Sequence, residues 1–321
     1  MSFSSDTKDA LAREPLLQPC CQRAELSAFL HLAGQINLLG GGKRAFSVTT
    51  ESQVVARRVY QLIKRLYGYN AEVAMKENKR LNHKHTFFIS VPDAKKADQI
   101  LFDTSVLKES DGYATVYQNF EPALMEKICC RQALARAAFL ACGSLSNPEK
   151  SYHLELIVRS RAYADSLLDI LSEMGVTAKT TLRKGVTVVY VKGADQISVF
   201  LANIGAVDAM LAFENIRVLK DVRNNVNRAV NCENANVDKT VRAAERKMQN
   251  IRYILRYRPL EKWPEALRQA AELRLASPYA PLSELCDMTE GELGKSGLNH
   301  RFRKIEALAD QIRAEKGEIN D

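Results

Sequence analysis

The chain has 321 residues, 46% of them apolar and 26% charged, and carries a formal net charge of +8. That length supports two or three domains with real hydrophobic cores, and the composition is that of an ordinary soluble globular protein. The basic excess points to an acidic partner, of which nucleic acid is the usual one; no apolar run reaches the roughly 20 residues that a membrane-spanning helix needs. The first residues, Met1-Ser2-Phe3-Ser4-Ser5-Asp6, open no cationic-then-apolar signal, so a cytoplasmic protein is expected.

In chain order, residues 1–19 read as an N-terminal extension. A helix of small apolar residues covers 24–34. Strand-like segments rich in β-branched residues follow at 45–50, 71–75 and 86–91, with a helix at 52–67 between them and a short one at 94–102. In the 52–67 helix, Val55, Val59, Leu62, Ile63 and Leu66 share one face. A second small-residue helix covers 131–143 and is followed by strands at 152–158, 178–182 and 186–191, with helices at 163–174 and 195–203. The C-terminal part reads as helical: 208–228, then an Asn-rich polar linker over 224–236, then 237–257, 264–276, 281–288 and 295–312. Pro264 and Pro281 stand where a first helical turn accepts proline.

The two small-residue helices are copies of one motif. The first ends Leu26-Ser27-Ala28-Phe29-Leu30-His31-Leu32-Ala33-Gly34, the second Ala135-Arg136-Ala137-Ala138-Phe139-Leu140-Ala141-Cys142-Gly143. Gly34 and Gly143 stand 109 positions apart, and so do the vicinal cysteine pairs Cys20-Cys21 and Cys129-Cys130. Two separate features at one offset mark a long duplication. The motif resembles the LAGLIDADG helix of homing endonucleases, and the element order αββαββα, given twice, matches that fold. The resemblance implies two motif helices packed at a pseudo-twofold axis under a saddle of antiparallel strands. In that family the residue before the final Gly is an acid that holds a divalent metal. Here those positions are Ala33 and Cys142, and neither offers the oxygen ligand a hard cation takes.

The last three helices resemble a helix-turn-helix, a short helix leading through 289–294 to a longer basic one. Together with the degenerate duplication, the run Lys295-Ser296-Gly297-Leu298-Asn299-His300-Arg301 is similar to the WhiA family of bacterial regulators, a resemblance that spans about residues 20–312. It implies an α+β fold with a duplicated LAGLIDADG unit followed by an all-α helix-turn-helix domain. The expected division is 1–19, a tandem domain at 20–205 (repeats about 20–110 and 129–205), a linker at 206–236, and the helical domain at 237–321. The implied function is that of a non-enzymatic DNA-binding transcription regulator linked to sporulation, cell division or chromosome segregation.

The candidate contacts follow. On the last helix Leu298, Phe302, Ile305, Ala309 and Ile312 form an apolar stripe. Lys295, Ser296, Asn299, His300, Arg301, Arg303 and Lys304 lie off it and suit DNA: Arg pairs with guanine, Asn with adenine, Lys and Ser with phosphate. Candidate backbone contacts are Lys43, Arg44, Lys79, Arg80, Arg183 and Lys184 in the duplicated half and Arg242, Arg246 and Lys247 in the bridging helix. The glycines at 40–42 lack the Lys-Ser/Thr of a phosphate loop. His83 and His85 suit an exposed hairpin better than a metal site. The seven cysteines contain no zinc-type spacing, and most read as small reduced core residues. No cofactor, metal, membrane or small-molecule substrate is expected. The partner is double-stranded promoter DNA, with transcription or division proteins as further candidates. The rivals are an active homing endonuclease, opposed by Ala33 and Cys142, and a pure protein-binding scaffold, opposed by the Arg303-bearing helix.

Overall fold

The computed structural model describes residues 2–16, 18–78, 84–110, 112–289 and 292–317. Lys79, Arg80 and His83 therefore lie outside the described residues. The chain divides into two compact units, Met1–Asp221 and Val222–Asp321. Each has its own apolar core.

The first unit opens with helix α1 (Phe3–Arg13). One module then appears twice. Its first copy is α2 (Pro19–Ala33), β1 (Gly34–Gly40), β2 (Lys43–Thr50), α3 (Gln53–Tyr67), β3 (Glu72–Asn78), β4 (Lys84–Val91) and α4 (Ala94–Asp103). A small hairpin, β5 (Leu107–Ser110) and β6 (Tyr113–Val116), leads to the second: α5 (Ile128–Cys142), β7 (Gly143–Leu145), β8 (His153–Val158), α6 (Arg161–Glu173), β9 (Lys179–Arg183), β10 (Val186–Lys192) and α7 (Ala194–Asn203). Each copy forms an antiparallel four-stranded sheet, with orders β1-β2-β4-β3 and β7-β8-β10-β9. The expected duplicated αββαββα unit is the observed one.

Local chemistry explains the elements. In β8 Leu154, Leu156 and Val158 are buried while Ile157 is exposed, and Val189 and Val191 of β10 face inward opposite Leu156 and Leu154. α3 starts where the Ser52 hydroxyl accepts from the Val55 N–H and stops at Gly68, whose φ is +64°. Its stripe of Val55, Val59, Leu62 and Ile63 is fully buried. Between β9 and β10, Lys184 and Gly185 both have positive φ, +50° and +80°, as a two-residue type I′ turn requires.

α2 and α5 lie against each other along the broadest contact in the unit. Ala24, Ala28, Ala133, Ala137 and Ala138 are completely buried there. Equivalent positions on the two helices also tie each module together: the Ser27 hydroxyl donates to the Thr104 carbonyl at 2.7 Å, and the Arg136 Nε–H donates to the Ile204 carbonyl at 2.7 Å. Gly34 and Gly143 are needed for a more local reason than helix–helix approach. A Cβ on Gly34 would sit 2.1 Å from the carbonyl oxygen of Leu30, and one on Gly143 2.6 Å from that of Phe139. The chain leaves each helix so sharply that its own last turn occupies the side-chain space.

The N-terminal extension carries α1, which packs onto the first unit's core. In α1 Phe3, Thr7 and Leu11 recur at i, i+4 and pack onto the core, and Ala12 is buried beside them. Ser4 accepts from the Leu145 N–H at 3.1 Å, and Arg58 of α3 reaches back to the carbonyl of Ala12 at 3.3 Å and to that of Glu14 at 2.6 Å. The same guanidinium pairs with Glu25 of α2, Nη2 to Oε2 at 3.0 Å, with both side chains buried.

The expected linker at 206–236 is corrected. One 49-residue helix, α8 (Val207–Leu255), runs through it, and the division between the units falls inside this helix. The segment contains neither Gly nor Pro, so its polar asparagines do not break the helix. Residues 221–240 are exposed throughout. In the second unit α9 (Glu265–Ala276), α10 (Leu282–Asp287) and α11 (Lys295–Lys316) pack with the end of α8. Ile251, Ile254, Ala270, Ala271, Leu285 and the α11 stripe Leu298, Phe302, Ile305, Ala309 and Ile312 form the core. Among the described residues no helix is long and apolar enough to cross a membrane.

Two substitutions test this packing. Gly143→Leu should destabilise the first unit by about 1–3 kcal/mol, because it overfills the space at Phe139. Glu25→Ala should cost about 3–5 kcal/mol, because it leaves the Arg58 charge buried without its partner. Both are read as shifts of the thermal midpoint, and midpoints equal to that of the parent chain would refute the packing account.

Candidate nucleic-acid interface

α11 has two different ends. Near its start Lys295, Ser296, His300, Arg303 and Lys304 are exposed and Asn299 is half-buried. Among the described residues, none of their charged groups makes an ion pair. Farther along, Arg313 is tied to Asp310 at 2.7 Å and to Asn250 at 2.8 Å. The apolar stripe turns Ser296, His300 and Arg303 to the opposite side of the helix from the core. The result is a solvent-facing row of donors on the first half of the second helix of a helix-turn-helix.

Arg301 departs from that row. It sits next to Phe302 at the edge of the stripe, and its Nη1 donates to the Gln269 Oε1 at 3.0 Å and to the Ala266 carbonyl at 3.3 Å. It braces α11 against α9. Lys247 also departs: its Nζ lies 4.6 Å from the centroid of the Phe302 ring, and burial, followed by the neighbouring Arg274 charge, pulls its pKa down. Arg242 and Arg246 on the same helix are exposed, and among the described residues neither is ion-paired. Arg274 carries no signal of its own in the sequence. It is buried, and its Nη1 donates to the carbonyls of Ser277, Pro278 and Ala280 at 3.3, 3.2 and 2.7 Å, closing the α9–α10 connection.

In the first unit the candidate cations are dispersed. Lys43 is exposed at the β1–β2 turn; Arg44 is paired with Asp98 at 2.9 Å. Arg183 and Lys184 stand at the tip of the β9–β10 hairpin, with Arg183 3.5 Å from Glu155. Cross-strand register places His153, Glu155, Lys179, Thr181, Arg183, Tyr190 and Lys192 on the sheet face away from the core. Ile157, Val186 and Val188 share that face, and its charged residues are Lys179, Arg183 and Lys192 against Glu155.

The two positions that precede the motif glycines end their helices differently from a metal site. Ala33 presents a methyl group. The Cys142 thiol donates to the Ala138 carbonyl at 3.2 Å, and burial pushes its pKa up to about 12 against the opposing effect of Lys8. The Lys8 ammonium of α1 donates to the Leu140 carbonyl at 3.2 Å, so a fixed side-chain cation occupies the negative end of α5. Burial lowers the Lys8 pKa, and Cys142 and Glu51 oppose that shift. At the other end of the same helices the seam gathers Cys20, Cys21, Cys129 and Cys130, whose Sγ atoms all lie within 4.8 Å of one another. By sequence most of the seven cysteines read as small core residues, and the common offset of 109 is the signal that these four meet.

Three family models match the chain: the WhiA N-terminal LAGLIDADG-like domain over residues 19–107, the WhiA LAGLIDADG-like domain over 131–223 and the WhiA C-terminal HTH domain over 226–309. The chain is 41% identical over 313 residues to a probable cell division protein WhiA of Alkaliphilus metalliredigens, covering 98% of this chain and 99% of that one. It is 42% identical to the protein of the same name from Brevibacillus brevis, covering 98% of each. The crystal structure of full-length DUF199/WhiA from Thermatoga maritima shares the fold, with a TM-score of 0.57 at 23% identity over 97% of this chain and 99% of that one.

The chemistry at Ala33 and Cys142 sets an expected outcome. Incubated with duplex DNA and Mg²⁺ or Mn²⁺, the purified protein should leave the DNA intact, since neither residue supplies the oxygen ligands that metal-assisted phosphodiester cleavage uses. Site-specific cleavage that co-purifies with the protein and is lost on Cys142→Ser would overturn this.

Proposed function

Because this chain belongs to the WhiA family, we propose that it is a non-enzymatic regulator that binds double-stranded promoter DNA through its helix-turn-helix and acts in cell division. The observation that carries the reading is the sorting of basic residues on α11. Arg301 and Arg313 are engaged in packing, while Lys295, Ser296, Asn299, His300, Arg303 and Lys304 present donors on one exposed stretch near the helix start. In a helix-turn-helix that end of the second helix enters the major groove. Arg303 then reads guanine or grips phosphate, Asn299 is placed for adenine, and Lys295, Ser296 and Lys304 hold the backbone. Exposed Arg242 and Arg246 add sequence-independent attraction. The role in cell division follows the name of the similar proteins. Sporulation and chromosome segregation are extensions of the same reading, and so is residence at the nucleoid in the cytoplasm.

The duplicated half serves in this reading as a second binding module for DNA or for a transcription or division protein. The outer face of the β7-β8-β10-β9 sheet carries Lys179, Arg183 and Lys192 against Glu155, and that basic excess supports DNA as its partner. Arg183 and Lys184 at its hairpin tip, and Lys43 on the first sheet, are the contacts proposed there. Lys79 and Arg80 remain proposals on sequence position alone.

The test is a set of binding titrations at several salt concentrations, on a site selected from genomic fragments and on random duplex. Arg303→Ala should lose about 1–3 kcal/mol on the selected site and less on random DNA. Arg246→Ala should weaken both alike and lower the slope of log affinity against log salt by up to about one. Lys247→Ala should leave that slope unchanged and lower the melting temperature, because its ammonium packs on Phe302. Equal losses on both DNAs for Arg303→Ala would make it a phosphate clamp. Absence of any preference for selected over random duplex would sink the promoter-reading role.

A further inference from the structure

The α2–α5 seam brings together four thiols that are far apart in sequence. Cys20 and Cys21 fall in the first turn of α2, which begins at Pro19; Cys129 and Cys130 fall in the first turn of α5, which begins at Ile128. Each pair thus holds the second and third positions of its helix, and the pseudo-twofold relation places one pair against the other. All four Sγ atoms lie within 4.8 Å of one another, and those of Cys20 and Cys21 are 4.0 Å apart. Cys21 and Cys130 are buried, Cys20 and Cys129 half-buried. Ala24 and Ala133, one turn further along, are fully buried and close the inner side of the cluster.

We propose that Cys20, Cys21, Cys129 and Cys130 form a tetrathiolate site for one Zn²⁺ ion, which pins the N-terminal ends of the two motif helices together. Four sulfurs around Zn²⁺ at about 2.3 Å stand a little under 4 Å from one another in a tetrahedron. The observed separations need only a small contraction to reach that shape. A cluster of several irons would instead need the thiols to move apart to make room. Each thiol gives up its proton, four Zn–S bonds form, and no atom changes oxidation state. The resulting double negative charge sits at two converging helix N-termini, where the peptide dipoles and free N–H groups favour anions.

Burial pushes the Cys21 thiol above its usual range and the Cys130 thiol up to about 12. Burial opposes ionisation of Cys20 as well, but hydrogen bonds from Cys130 and Cys21, and the Lys127 charge, leave it lowered. Uptake releases protons, so affinity falls as the solution is acidified.

The experiment titrates the full chain, reduced with a phosphine and held without oxygen, with Co²⁺ followed by Zn²⁺. The expected result is saturation at one equivalent, with the intense visible and near-ultraviolet bands of tetrahedral cobalt thiolate, and loss of those bands when Zn²⁺ displaces Co²⁺. Cys20→Ser and Cys129→Ser change half-buried positions and keep the helices packed. Each should lose the tetrathiolate spectrum while its far-ultraviolet circular dichroism stays that of the parent, whereas Cys232→Ser and Cys142→Ser should keep the spectrum. Three results would overturn the site: no absorption at one equivalent in protein with all its thiols titratable, a spectrum unchanged in Cys20→Ser and Cys129→Ser, or a spectrum abolished by Cys232→Ser.

Discussion

The first unit depends on how closely two helices approach. Alanine at the contacting positions of α2 and α5 removes the side-chain bulk that would hold the backbones apart, and it loses no rotamer freedom on burial. Everything else in Met1–Asp221 is placed from that line. At one end each helix releases its chain through a glycine directly into a strand; at the other, each contributes a pair of thiols. The two sheets are then generated twice from the same rule, which is why their strand orders are copies of one another. The motif helix of the LAGLIDADG-like module thus works here as a structural hinge-pin, with Lys8 rather than a carboxylate at the end of α5.

A net charge of +8 overstates the charge available to a ligand. Several guanidinium groups are structural. Arg58 joins α3 to Glu25 and to the carbonyls that end α1, Arg136 joins α5 to the end of α7, and Arg274 satisfies the carbonyls between α9 and α10. A planar group with five donors can complete a loop that has lost its helical partners, which an ammonium does less well. Subtracting these residues is what isolates the start of α11. Counting Lys and Arg along the sequence does not separate Arg301, which braces α11, from Arg303, which is exposed and among the described residues makes no ion pair.

Much of the architecture was legible in the sequence because it is written twice. The common offset of 109 and the alternation in the strands specify the module, and the stripe from Leu298 to Ile312 specifies the inner face of α11. The misses have physical causes. β1 and β7 begin at the very residue that ends a helix, with no turn chemistry between them. The buried side of α1 is Phe3, Thr7, Leu11 and Ala12, and the polar Thr7 interrupts its apolar pattern in a polar segment. The Asn-rich part of α8 looked like a linker since asparagine is a poor helix former, yet with no Gly or Pro nothing forces the backbone out of the helix. The thiol cluster was hidden for another reason: metal-site spacing rules describe ligands on one local loop, and here the ligands come from two modules.

The exposed stretch of α8 has a consequence for how the molecule breathes. Residues 221–240 are exposed throughout, and among the described residues the recorded side-chain hydrogen bonds there stay within the helix, Thr240 Oγ1–H to the Asn236 carbonyl at 2.9 Å and Asn236 Nδ2–H to Cys232 Sγ at 3.8 Å. A helical ladder without a packed face is marginal over this length in water. Its amides must therefore exchange with solvent far faster than those of α2 or α5, whose opening requires dismantling a core. In hydrogen-exchange terms the middle of the longest helix is soft regular structure, open to water and to a protease along its whole circumference.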